Sequence, residues 1–198
     1  FAGKDDRVEI EHAEAINLGG EGQDYSITFW FNSLTLPDTY PDAHFITKTG
    51  APYPFSFVQM TSGVIQMRTY DGQSCPTIDS GLDLSDGSWH FVVGMRDRMR
   101  KRLLLYIDGI LVASGRDGTH GDLRNNGPLL IGRSHGDDFN GALDEVTLYD
   151  RLLTRHEIRS QYAQPESAVR RRAETRKRLT PKRAAGVPAM RRQMENWT

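Results

Sequence analysis

Residues 139–158 read FNGALDEVTLYDRLLTRHEI. From Ala142 to Tyr149 the run is apolar and β-branched, and Asn140-Gly141 and Asp150 bound it, so it reads as a strand. Side chains on a strand alternate between two faces. A regular strand puts Ala142, Asp144, Val146 and Leu148 on one face, and Leu143, Glu145, Thr147 and Tyr149 on the other. A carboxylate, Asp144, then stands in line with Val146 and Leu148 on the face expected to be core. Burial there is costly unless the group is paired, hydrogen-bonded or bound to a cation. In one reading Asp144 accepts backbone N–H groups from a neighbouring loop and pins the first and last strands. In the other it holds a cation. Beyond the strand, Thr154 with Glu157 three residues later forms a capping box. This predicts a helix from about Arg155 to Tyr162, ending before Pro165.

Working back along the chain, short strand-like runs recur. They are RVEIE, YSITFWFNS, HFITKT, FSFVQM, VIQMRT, WHFVVGMR, RLLLYI, ILVAS and PLLIGR, with Gly, Pro, Asp and Asn between them. Regular short strands of this kind predict an all-β sandwich. In LLLYIDGILVASG the pair Asp108-Gly109 separates two apolar runs, and Asp-Gly suits a type I′ turn. Ile107 and Ile110 should face each other across it. Trp89 shares a row with Phe91, Val93 and Met95 and is expected in the core. Trp30 alternates with Ser26, Thr28 and Asn32, a more polar row, and core is again the expectation.

The chain has 198 residues, 37% hydrophobic and 26% charged, which suits one domain with an appendage. No apolar run approaches the roughly 20 residues that span a bilayer. The first residue is Phe1 and no signal-like segment follows, as expected of a mature fragment or a module of a longer protein. The single cysteine, Cys75, excludes an internal disulfide and a multi-cysteine zinc site. The net charge of −1 hides an asymmetry: Pro165–Thr198 holds ten Lys/Arg against three acids, net +7, whereas residues 1–164 hold 15 against 23, net −8. The sequence thus divides into a body, 1–164, and a basic extension, 165–198, that serves as linker or docking segment. No stacking aromatics interleave the basic run, which argues against nucleic acid as partner.

Three blocks carry a resemblance: FAGKDDRVEI (1–10), DGSWHFVVGMRDRMRKRLLLYIDGILVASG (86–115) and LLIGRSHGDDFNGALDEVTLYDRLLTRHEI (129–158). In order and spacing they resemble the laminin-G-like, concanavalin A-like lectin/glucanase domains, specifically bacterial jelly-roll modules. The resemblance implies two stacked antiparallel sheets, with the two chain ends of the domain in neighbouring strands. It also implies a structural calcium between the opening segment and the Asp of the final strand, and calcium takes about six to eight oxygen ligands. Asp144, Asp5 and Asp6 match those positions. Ala2 stands where the family commonly has Asp, which removes a possible ligand. A secreted or cell-surface location follows from the resemblance alone.

Retaining glucanases of this fold carry Glu-x-Asp-x-x-Glu on one strand, which aims two carboxylates into one cleft. No Glu here has Asp two residues later. No Ser-His-Asp arrangement or phosphate-cradling Gly loop stands out. The expected function is therefore a non-catalytic module that binds glycan or polysaccharide, as part of a larger exported protein. The alternative is a structural or docking module whose basic tail contacts a neighbouring domain or chain. Candidate ligand-binding residues are Tyr40 and Tyr53, in Pro-rich segments where a ring could stack on a pyranose, with Asn125, Asn126 and Asp137 in polar loops. RDGTHGD (116–122) and RSHGDD (133–138) set His beside Asp, a weaker zinc pattern with no third ligand at fixed spacing.

Overall fold

A computed structural model describes residues 1, 6–33, 42–133 and 137–163, with the side chains of all of these except 42, 137 and 138. Asp5, Tyr40 and the basic extension fall outside the described residues. The strands are β1 (Val8–Ile10), β2 (Tyr25–Asn32), β3 (Asp42–Lys48), β4 (Tyr53–Met60), β5 (Ile65–Tyr70) and β6 (Thr77–Asp79). They continue with β7 (Trp89–Asp97), β8 (Arg102–Ile107), β9 (Ile110–Arg116), β10 (Leu129–Ile131), β11 (Asp137–Asp138) and β12 (Ala142–Tyr149). One helix, α1 (Arg155–Ala163), follows. The first sheet runs β1-β10-β3-β4-β5-β6, with β11 added parallel to β3; the second runs β12-β2-β7-β8-β9. All other pairings are antiparallel, as expected of a jelly-roll sandwich.

The inner faces meet in an aromatic core. Tyr25, Ile27, Phe29 and Phe31 alternate along β2 and point inward with Phe45, Phe57 and Phe139. The sheets approach closely at Gly94, where a Cβ would stand 2.3 Å from Cζ of Phe57. Only glycine leaves room there for the ring.

The other face of the second sheet is buried as well. Trp30, Phe91, Val93, Met95 and Tyr106 form a separate core with Leu153 and Ile158, against which Trp89 packs. The row containing Trp89 and the polar row of Trp30 therefore pack outside the sandwich, beneath α1. Ser26 joins this layer by donating to the carbonyl of Arg151 at 2.8 Å and accepting the N–H of Leu153 at 3.0 Å. Both faces of β2 are covered, so its burial is continuous rather than alternating.

The capping box forms as expected. Thr154 N–H donates to Glu157 Oε2 at 2.7 Å, and Glu157 N–H donates to Thr154 Oγ1 at 3.2 Å. The Asp108-Gly109 turn has φ of 51° and 78°, and Ile107 pairs with Ile110.

The structure corrects the reading of the last strand. Asp144 pairs with Trp30 and Thr147 with Thr28, so β12 carries one extra residue. Glu145 sits in the left-handed region at φ 52°, the bulge that accommodates it. Leu143, Val146 and Leu148 pack on the inner core, while Asp144 stands opposite Trp30 on the outer side. The apparent carboxylate in a core row disappears because the row shifts by one residue.

The chain ends also meet differently from expectation. β1 pairs with β10 and β12 with β2, in different sheets. Contact is made instead through backbone: the amino terminus of Phe1 donates to Gly141 O at 2.9 Å, and Gly141 N–H donates to Phe1 O at 3.1 Å.

Candidate binding site

Of the residues expected to bind sugar, Tyr53, Asn125 and Asn126 are described with their side chains. Tyr53 is the first residue of β4 rather than a loop residue. Its ring lies 5.2 Å from that of Tyr70, and its hydroxyl is 3.5 Å from Cys75 Sγ. Burial pushes the Tyr53 hydroxyl pKa up. Asn125 lies beside this segment, but its side chain is engaged within the fold. It donates to Pro52 O at 2.6 Å and to Gly50 O at 3.4 Å, and it accepts Gly127 N–H at 2.8 Å. Asn126 is exposed on the same loop. Asp137 is in β11, where its backbone is paired with Ala43.

Of the expected metal ligands, Asp6 and Asp144 lie among the described residues. Asp144 Oδ1 accepts Glu145 N–H at 2.9 Å, and Asp6 is exposed. Glu145 Oε1 is buried with no hydrogen-bond partner among the described residues, a carboxylate oxygen suited to a cation beside Asp144. Among the described residues, however, no group of three or more His, Cys, Asp or Glu is placed to hold a metal ion. Those residues do not by themselves complete a calcium shell. His120 Nδ1 lies 3.5 Å from Asp71, also without a third ligand.

A different surface gathers aromatic, apolar and cationic side chains. Helix α1 places Arg155, Arg159 and Tyr162 at spacings of four and three, hence on one face. That face lies against the β8–β9 turn: a Cβ on Gly109 would be 3.5 Å from Tyr162 Cδ1 and 3.8 Å from Arg159 Cγ. Between helix and hairpin is a cleft of about 350 Å³ with Tyr106 and Asp108 on the hairpin side. Ile110 and Leu111 form its rim and are 67% and 40% exposed. Tyr162 stacks on Trp30 at 5.8 Å and 20°, yet remains 40% exposed. Arg155 and Arg159 are exposed, and no carboxylate among the described residues pairs with either. The cleft thus combines a supported aromatic ring, apolar rims and two guanidinium groups.

The hairpin wall of the cleft is fixed by a charged clamp. His90 Nδ1 lies 2.9 Å from Asp108 Oδ2, and His90 Nε2 lies 3.2 Å from Asp86 Oδ1. Asp108 Oδ1 also accepts Phe91 N–H at 2.8 Å. The Asp108 hydrogen bond raises the His90 pKa above its ordinary value of 6.5; burial opposes it, and Asp86 adds to it. Protonated His90 therefore stabilises the fold. That stability is complete below about pH 6.5 and is lost as pH rises through the raised folded value. The melting temperature should fall from neutral to mildly alkaline pH, and His90→Gln should flatten this slope. An unchanged slope in the variant would remove His90 from the account.

A family model described as the concanavalin A-like lectin/glucanases superfamily matches residues 2–159. No protein of curated function matches the sequence. Among solved structures, the binding domain of Paraclostridial Mosquitocidal Protein 1 is similar at TM-score 0.67 and 18% identity, covering 79% of this chain and 40% of that one. The receptor binding domain of botulinum neurotoxin D is similar at TM-score 0.67 and 16% identity, covering 83% and 43%. The binding domain of botulinum neurotoxin DC, solved in complex with rat synaptotagmin II, is similar at TM-score 0.61 and 15% identity, covering 79% and 39%. The chain thus spans about 40% of the length of these structures, and at such identities the likeness is one of fold.

Proposed function

We propose, from the premise that this chain belongs to the concanavalin A-like lectin/glucanase superfamily, that it is a non-catalytic module that binds a glycan. One observation carries the reading: Tyr162, Arg155 and Arg159 line a single cleft whose hairpin wall is held by His90. A flat ring suits the apolar face of a pyranose. A guanidinium fork suits carboxylate or sulfate through paired hydrogen bonds. The volume falls within the range of small-ligand sites, about 300–1,000 Å³. The toxin domains of the same fold are binding domains by description, which supports recognition rather than catalysis.

The same proposal places the module in a secreted or cell-surface bacterial protein with further domains. Among the described residues no helix is long and apolar enough to cross a membrane. Calcium enters as a stabiliser that Asp144 would help to hold, with Asp5 and Asp6 from the opening segment. The exposed Ile110 and Leu111 favour a second reading, docking of a protein partner on the same cleft.

The test is a glycan-array screen of the intact chain beside the double variant Arg155→Ala/Arg159→Ala, each in calcium and in chelator. Both arginines are exposed, so the variant should melt near the parent. The parent should bind, and the variant should lose about tenfold or more in affinity, equivalent to about 1.4 kcal/mol. Binding lost in chelator would support calcium; equal binding would remove it. No binding to a broad array in calcium would favour the docking reading.

A further inference from the structure

The hairpin that walls the cleft has a second charged feature at its other end. Arg102 and Arg116 are directly opposed cross-strand partners in β8 and β9. Like charges so placed repel and destabilise the pairing. With Arg100 and Lys101 they line a depression of about 480 Å³. Asp97, the other cross-strand neighbour of Arg102, is engaged by Arg100, whose N–H and Nη1 donate to it at 2.8 and 2.9 Å. No carboxylate among the described residues forms an ion pair with Lys101, Arg102 or Arg116. Four cations therefore share one acid. This happens on a body whose residues 1–164 carry a net charge of −8, so the cluster is a local feature and not a general basicity.

The two features are connected. In β8, Leu103 and Leu105 belong to the inner core, while Leu104 and Tyr106 pack on the outer one. Arg102, two residues before Leu104, lies on that outer side, and its partner Arg116 lies beside it. Continuing along the pair, Ser114 stands opposite Leu104 and Leu111 opposite Tyr106. A lane thus runs from the Arg102–Arg116 pair, past Ser114, to the cleft of Arg155, Arg159 and Tyr162. From Arg102 to Tyr106 it covers roughly 14 Å at about 3.4 Å per residue. Among the described residues β9 is the last strand of its sheet, and none of them forms a further strand beside it on that side.

We propose that this lane binds a linear polyanionic glycan, one carrying carboxylate or sulfate groups on successive units, gripped by arginines at both ends. The inference rests on the glycan reading above and adds the ligand's charge, its direction along β8–β9 and a minimum length. Nucleic acid fits less well, because the lane offers one open ring, Tyr162, where a single strand wants a row of stacking aromatics. Arginine at both ends suits planar oxyanions that take paired hydrogen bonds.

The experiment titrates the full chain with oligogalacturonates and sulfated dextran fragments of graded length, with neutral dextran and inorganic polyphosphate as controls. Two variants are compared, Arg102→Ala/Arg116→Ala and Arg155→Ala/Arg159→Ala. The basic extension is common to all of them and cancels in the comparison. Affinity should rise with length until the fragment spans both clusters. The first variant should then lose about tenfold for long fragments and little for short ones, and the loss should shrink as salt screens the charges. Far-end loss without length dependence would overturn the proposal, as would polyphosphate binding as tight as the glycan of equal charge. Binding of neutral dextran that depends on Arg159 and not on Arg102 would overturn this inference while leaving the glycan reading intact. No binding of any saccharide would end both.

Discussion

Asp117→Ala should lower folding stability by about 3–5 kcal/mol, the usual cost of removing one partner of a buried ion pair. Arg96 and Asp117 are both fully buried, with Arg96 Nε donating to Asp117 Oδ2 at 2.8 Å. Arg96 also donates to Thr119 Oγ1 at 2.8 Å and to Gly19 O at 3.3 Å, so it ties β7 to two loops at one end of the sandwich. Arg98 adds a bond to the same carboxylate at 3.3 Å. Removing Asp117 leaves the Arg96 charge buried without its anion. For a domain of this size the melting temperature should drop on the order of 10 °C. The pH dependence has a definite sign. Burial raises the Asp117 pKa, but the Thr119 hydroxyl and the Arg96 guanidinium outweigh it and leave the value below that of a free carboxyl. The ionised form therefore contributes fully above about pH 4, and its contribution fades as pH falls through the lowered value. Parent and variant should converge in strong acid. A melting difference that persisted unchanged there would show that the loss comes from packing and not from charge.

Phe29→Ala should cost a comparable amount, about 3–5 kcal/mol, from lost burial and the cavity left behind. Phe29 is fully buried at the centre of the inner core. Its ring lies 5.3 Å from Phe57 edge-on, 5.8 Å from Phe45 and 6.5 Å from Phe31, so it contacts both sheets. The cavity would open where Phe57 already presses on Gly94, and the surrounding rings cannot close it without shifting the sheets. Urea unfolding measures the change directly. A loss under about 1 kcal/mol would mean that the core collapses around the site more freely than this packing allows.

Much of this fold was legible because its signals are local. Asp108-Gly109 names its own turn by requiring φ > 0 twice, and Thr154 with Glu157 closes its own cap. Alternation identified which residues of β7 share a row, but not what covers that row. Trp89, Phe91, Val93 and Met95 do share one, yet the layer above it is α1 and its leading loop, more than 50 residues further along the chain. The bulge at Glu145 was hidden for a related reason. Ala142-Asp144-Val146-Leu148 looks regular, and only the pairing of Asp144 with Trp30 and Thr147 with Thr28 reveals the extra residue.

The site followed the same division. Arg155, Arg159 and Tyr162 occupy one face of a helix whose start is written in its cap, so that half was open to sequence reasoning. The two apolar residues after the Asp-Gly turn, Ile110 and Leu111, were the other half. Their meeting with the helix depends on tertiary packing of Gly109 against Tyr162. Asn125 illustrates the opposite case: its side chain is engaged by two carbonyls, Gly50 and Pro52, that come within reach only from a distant loop and are invisible in its own segment.

The central claim is that ligand binds between the β8–β9 hairpin and α1. The most direct measurement is an amide chemical-shift titration of the isotopically labelled chain with a long oligogalacturonate. The account predicts saturable shifts concentrated at Gly109, Ile110, Leu111, Arg155, Arg159 and Tyr162, extending to Ser114 and Arg116. Saturable shifts confined to the Tyr53, Asn125 and Asn126 region, with the hairpin and helix unmoved, would contradict it.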